Sequence, residues 1–211
     1  MNKIVGKEYL SEKIVKLEVE APLIAKSRRA GHFVIVRVGE KGERIPYTIA
    51  SSDIKRGTIT LVVQLVGKSS QKVGALEVDD YITDLVGPLG KATNIENFGT
   101  VVCAGGGVGI APMLPIIEAM SKAGNKVVAV LGARTKDLVI LEDQVKEFAD
   151  EVIVMTDDGS YGEKGLITEG VEKIIKREKV DLCLTIGPAI MMKFVSLLTK
   201  KYNIPTLASL N

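Results

Sequence analysis

A chain of 211 residues with 28 Lys and Arg against 26 Asp and Glu has nearly balanced, interspersed charge, which argues against the basic footprint of a nucleic-acid binder. No apolar run reaches the ~18–20 residues that cross a bilayer, and Met1-Asn2-Lys3 opens a charged, alternating segment rather than a signal peptide, so a cytoplasmic protein without a membrane partner is expected. His32 is the single histidine, which removes histidine-based zinc sites and leaves little room for Ser-His-Asp hydrolysis, while Cys103 and Cys183 sit in apolar runs as buried small residues with no metal-ligand spacing.

Strand-like alternation marks residues 3–10, 13–20, 32–38, 45–50, 58–66 and 81–86, separated by turns such as 39–43 and 53–57. Six short strands, with one helical turn at 70–76, predict a small closed antiparallel Greek-key barrel. Within the fourth strand, Arg44 offers a planar fork for a pyrophosphate, Pro46 fixes its φ, Tyr47 can pack along a flavin ring or ribityl chain, and the Thr48 hydroxyl can reach a ring nitrogen. An edge strand with a surface arginine has the same composition. Gly67, Ser69 and Ser70, at a helix start, either donate to phosphate or simply cap the helix.

A boundary is expected near 97–99, giving domains 1–98 and 99–211. Beyond it, apolar strands at 100–104, 126–131, 151–155, 182–186 and 206–210 alternate with helices at 113–122, 141–148, 168–177 and 189–202, which predicts a parallel sheet covered on both faces. The first strand runs into Gly105-Gly106-Gly107-Val108-Gly109, then Ile110-Ala111-Pro112, a strand-to-helix loop in which bare backbone can approach a pyrophosphate and Pro112 suits the first helical turn. The other reading is a tight turn needing glycine for packing. The second strand ends in Gly132-Ala133-Arg134 without an acidic residue, so Arg134 pairs with a 2′-phosphate, stacks on adenine or is a solvated surface residue, and NAD versus NADP stays open. Asp157, Asp158, Gly187, Pro188 and Met191 lie in further loops at strand ends, where an open parallel sheet binds ligands.

Taken in order and spacing, 43–50, Val86-Gly87-Pro88-Leu89-Gly90, 103–112, 132–138, 156–162 and 186–192 resemble the ferredoxin–NADP reductase superfamily over the whole chain. Within it, the resemblance is to the electron-transfer subunits of dihydroorotate dehydrogenase and the small subunit of NADH-dependent ferredoxin–NADP oxidoreductase, also described as sulfide dehydrogenase. The resemblance implies FAD on the barrel, held by Arg44, Pro46, Tyr47 and Thr48, with Gln64, Leu65 and Val66 along the ring and Gly67, Ser69 and Ser70 at the pyrophosphate. It implies NAD or NADP on Gly106, Gly107, Val108, Gly109, Pro112, Arg134, Asp157, Asp158, Gly187, Pro188 and Met191. Some relatives carry Leu at the Tyr47 position.

The implied function is hydride transfer between NAD(P)H and FAD, with Thr48 tuning the flavin and electrons passing to an iron–sulfur centre or a catalytic partner subunit, either a flavoprotein oxidoreductase or dihydroorotate dehydrogenase. The alternative is a nucleotide-binding regulatory or assembly subunit without turnover. Relatives in these branches continue past the equivalent of Ser209-Leu210-Asn211 into four cysteines that ligate a two-iron, two-sulfur cluster. Those ligands are absent here, and a truncated form is expected.

Overall fold

Alternation of apolar and polar residues builds β1 (Asn2–Ser11), β2 (Ile14–Glu20), β3 (Phe33–Arg37), β4 (Ile45–Asp53), β5 (Thr58–Gln64), β6 (Tyr81–Ile82) and β7 (Asp84–Leu89). On β2, Val15, Leu17 and Val19 point into the core while Lys16, Glu18 and Glu20 alternate outward. The computed structural model describes residues 2–209. These strands and two short helices, α1 (Pro22–Ser27) and α2 (Lys68–Gly74), form one of two compact units, Met1–Thr93.

The strand order is β6-β1-β2-β5-β4-β3-β7, antiparallel throughout. The expected sixth strand is therefore two, and the count is seven. Asn2 pairs with Ile82 at one end of the sheet and Arg37 with Asp84 at the other. A strand that must serve both ends of a closing sheet changes partner by leaving the ladder for a residue, here Thr83. The unit is a nearly closed barrel, filled by Ile4, Leu17, Val34, Ile49, Leu61 and Ile82 among others.

Two local departures have simple causes. Helix α1 has no signature in the sequence pattern, because its six residues are too few for a period to register; Pro22 sets the first turn, and Ile24 and Ala25 are buried. Helix α2 begins ahead of the expected 70–76 because Ser70 Oγ accepts the Val66 and Gly67 N–H groups at 3.1 and 3.0 Å, closing the turn early.

The second unit, Asn94–Asn211, contains β8 (Thr100–Gly106), α3 (Ile110–Lys122), β9 (Lys126–Ala133), α4 (Glu142–Lys146), β10 (Glu151–Thr156), β11 (Glu163–Lys164), α5 (Ile167–Arg177), β12 (Leu182–Ile186), α6 (Ala189–Lys201) and β13 (Thr206–Ala208). All strand pairs are parallel, in the order β11-β10-β9-β8-β12-β13. The two-residue β11 is too short to leave an alternating pattern in the sequence. Of the strand expected at 206–210, Leu210 lies outside the described residues. The division falls between Thr93 and Asn94, ahead of the expected 98/99. Asn125 explains this: its Oδ1 accepts from Phe98 N at 2.6 Å and Gly99 N at 3.2 Å, and its Nδ2 donates to Glu96 O at 2.8 Å, tying the leading segment to the second unit.

Cys103 faces Leu184 across the ladder and Cys183 faces Val102, so the two thiols project from opposite faces. Both are buried and free, and burial pushes Cys183 up to about 12 and Cys103 higher still. His32 is buried too; its Nδ1 accepts from Arg29 N at 3.1 Å, and burial, with Arg29 and Arg28 nearby, lowers its pKa. Among the described residues no helix is long and apolar enough to cross a membrane, and no three His, Cys, Asp or Glu side chains are grouped to hold a metal ion.

Candidate functional site

The parallel sheet grows from β8 toward β9 and β10 on one side and toward β12 and β13 on the other. The chain therefore reverses its winding between β8 and β12, and an open α/β sheet takes its ligand outside the carboxyl ends of such strands. The loops leaving those ends carry Gly106–Gly109 and Gly187–Met191, and the structure brings them together.

The glycines there do different things. A Cβ on Gly106 would overlap Met191 Sδ, and one on Gly109 would lie 2.5 Å from the Ile186 carbonyl oxygen, so both are required by close packing of the two loops. Gly107 instead has φ +55 with nothing within 4 Å of a Cβ, leaving bare backbone toward open space where a ligand can approach. Val108 beside it is half-buried. Pro112 sits at the third position of α3, in the turn where helix N–H groups lack intrahelical partners.

At the next strand ends, Asp157 N donates to Ala133 O at 3.0 Å and Asp158 N to Arg134 O at 3.3 Å, joining the loops after β9 and β10. The Asp158 carboxylate accepts from Ser160 Oγ at 2.7 Å and Ser160 N at 2.9 Å, and these bonds hold its pKa below the usual carboxylate range. It is committed to the loop. Among the described residues the exposed side chains of Arg134 and Asp157 make no such bond, and these two are left available at the carboxyl edge of the sheet.

In the barrel unit, Arg44 precedes β4 and is exposed. Its Nη2 lies 3.6 Å from Asp84 Oδ2, which also accepts from Arg37 Nε at 2.5 Å. Arg37 first, then Arg44, lowers the pKa of Asp84. The carboxylate thus steadies two guanidiniums while leaving a net positive group. Ser69 Oγ donates to Glu43, and Ser70 Oγ, besides its two N–H contacts, donates to Gly67 O at 3.0 Å. The hydroxyls expected at a phosphate are thus engaged within the protein, that of Ser70 in capping its own turn. Beside them, Val38, Gly42, Glu43, Ile45, Lys68 and Ser69, with Lys41 and Lys72, line a cleft of about 230 Å³.

Alternation along β4 sends Pro46 and Thr48 to one side and Ile45, Tyr47 and Ile49 to the other. Tyr47 packs against the barrel core; its hydroxyl is buried without a partner, and burial raises its pKa to about 12. Leu65 also packs on that core, Gln64 is half-buried, and Val66 is 75% exposed just before Gly67, where a Cβ would meet open space. An orphaned phenol, a bare-backbone turn and an exposed arginine fit a bound polar ligand with a phosphate and a flat ring, as FAD is. Sequence reasoning assigned no role to Asp84 or Glu43. Glu43 adjoins Arg44 in the chain and was within reach; nothing in the sequence signals Asp84, which arrives from a distant strand.

Residues 2–93 match an oxidoreductase FAD-binding domain and residues 103–197 an oxidoreductase NAD-binding domain. The chain is 44% identical over its full length to the dihydroorotate dehydrogenase B (NAD(+)) electron transfer subunit homolog of Thermotoga maritima, covering 74% of it. It is 31% identical to the electron transfer subunit of that enzyme from Desulforamulus reducens, over 92% of this chain and 75% of the relative. A solved NADH-dependent reduced ferredoxin–NADP oxidoreductase, described in connection with flavin-based electron bifurcation, superposes over 100% of this chain and 76% of its own, with TM-score 0.94 at 43% identity. From its paired FAD- and NAD-binding domains and these relatives, the chain belongs to the ferredoxin–NADP reductase superfamily, as a member of the family of dihydroorotate dehydrogenase B electron transfer subunits and of an oxidoreductase lineage.

Proposed function

We propose that this subunit takes hydride from NADH on its α/β unit, delivers it to FAD on its barrel unit, and passes electrons to an iron–sulfur centre or a catalytic partner subunit. The observation that carries the reading is the pair of loops at the β8/β12 reversal, with Gly107 presenting left-handed backbone to open space. NADH is favoured over NADPH because Asp157 offers a free carboxylate to ribose hydroxyls at that edge, and because the relatives are named for NAD.

When bound, FAD supplies an acceptor for two electrons at once that can release them singly, chemistry no side chain here provides. The residues bind and orient. Arg44, steadied by Asp84, gives the pyrophosphate a charge-assisted fork, and Pro46 limits the backbone that carries it. Gly67 gives bare backbone, and Ser69 donates to phosphate once it leaves Glu43. We assign Thr48 the hydrogen bond to the flavin ring, Gln64, Leu65 and Val66 its flank, and Tyr47, through its unpartnered hydroxyl, a contact to the ribityl chain. Gly106, Gly109, Gly187, Pro188 and Met191 shape the nicotinamide pocket, with Val108 and Pro112 at its rim and Arg134 beside the adenosine end; Asp158 keeps the adjoining loop in form. No acid or base is needed for hydride transfer itself.

The test is spectroscopic. Purified protein reconstituted with FAD should be yellow and should bleach anaerobically with NADH. Arg44→Ala should weaken FAD binding roughly 10- to 100-fold, in line with ~1.5–3 kcal/mol for a charge-assisted hydrogen bond, without changing the fold. Full flavin stoichiometry at low FAD in that variant would defeat the assignment, and colourless protein that binds only nucleotide would favour a regulatory subunit.

A further inference from the structure

Helix α6 packs Met192, Val195 and Thr199 inward and leaves Ile190, Phe194 and Leu197 exposed at 60%, 53% and 47%. Spaced i, i+4 and i+7, these three form one stripe about 10 Å long on the helix surface. At the same periodicity Lys193 and Lys200 run along one rim of it, and Lys201 closes its far end. From Gly187 to Asn211 the sequence has three lysines and no Asp or Glu. Helix α5 differs: Lys173 pairs with Glu163, Lys176 with Glu172 at 3.2 Å and Arg177 with Glu151 at 2.6 Å. Among the described residues Lys193 and Lys200 make no ion pair.

We propose that this stripe is the docking surface for a protein partner that presents apolar residues fringed by carboxylates. The inference rests on the reading of the chain as a subunit and says which face the partner meets. An exposed aromatic with two aliphatics at helical spacing is what a groove in a partner accepts, and Phe194 is its anchor. The lysines set the partner's sign. A second copy of the same face would bring lysine against lysine, so self-association through the stripe is disfavoured. An anionic membrane would also attract lysines, but α6 has its other side buried in its own unit and has only three apolar side chains to insert. The stripe begins directly after Gly187-Pro188, so a partner seated there adjoins the nucleotide-binding loops.

Carbodiimide coupling tests this, because it joins lysine to carboxylate without a spacer. The tagged chain is purified at low salt with the polypeptides it holds in its own cells, coupled, and mapped by peptide mass. Expected are bonds from Lys193 or Lys200 to Asp or Glu of a different polypeptide. The variant Lys193→Glu/Lys200→Glu should retain that polypeptide roughly tenfold less, as should Phe194→Ser, while NADH still reduces the flavin at the unaltered rate. Coupling to a second copy, coupling of the partner only elsewhere, undiminished retention by the variants, or no polypeptide held at all would each overturn the proposal. So would flotation of the wild type, but not the charge-reversed variant, with phosphatidylserine vesicles. Flavin that NADH fails to reduce would instead defeat the proposed function and leave the coupling result standing.

Discussion

The glycine loop after β8 and the polar segments around Arg44 and Ser69 are built from different materials. The first is backbone fitted to backbone: Gly106 and Gly109 have no room for a methyl group, and Gly107 adopts an angle that side chains resist. The second is made of side chains that satisfy one another, Arg44 with Asp84, Ser69 with Glu43, Ser70 with its own turn. A backbone site is fixed before a ligand arrives. A side-chain site must exchange partners to receive one, so ligand affinity there is tuned by what the free protein already holds.

The sharpest way to break this contrast is to add one methyl group in each region. Gly109→Ala should destabilise the α/β unit by ~1–3 kcal/mol of overpacking and lower its Tm by ~2–8 °C, as followed by thermal unfolding. Gly67→Ala, whose backbone is extended and whose Cβ meets nothing, should leave Tm nearly unchanged and reduce only FAD affinity, measured by fluorescence titration. Equal losses of stability in both would erase the distinction. Tyr47→Phe should matter less and in opposite senses. Removing a buried hydroxyl that has no partner should leave the flavin-free protein as stable or up to ~1 kcal/mol more so, while FAD binds several-fold more weakly. Unchanged FAD affinity would assign Tyr47 to the barrel core alone.

The smallest effect concerns pH. The folded pKa of Asp158 lies below its ordinary value of 3.8, so its contribution is present above that value and fades as pH falls through the folded pKa. Ser160→Ala removes the largest cause, so any stability difference from wild type should be seen near neutral pH and shrink in acid. A difference that persists in strong acid would mean the loop is held by something other than that carboxylate.

The same contrast explains what the sequence made readable. Strands and helices beyond residue 100 follow from periodicity, and the glycine run stands out because crowding leaves no other residue type. Arg44 and Tyr47 are visible as types, but their surroundings are not. Asp84 lies 40 residues from Arg44 and reaches it only because β3 lies between β4 and β7. That Tyr47 leans on the barrel core follows from strand parity once the bounds of β4 are known. The seventh strand is not legible in the sequence because a change of partner at Thr83 leaves hydrophobic alternation intact.

That change of partner at Thr83 has a bearing on biosynthesis. Because Asn2 is matched with Ile82, the earliest strand waits for one of the last. At ~5–20 residues per second, translating the intervening stretch takes roughly 4–16 s. Until then β1 has an open edge, and the unit completes its sheet late, in a long-range step that makes barrels of this kind slow folders. The cleft that Ile45 of β4 shares with Lys68, Ser69 and Lys72 of α2 therefore takes its final form only after most of the barrel has left the ribosome.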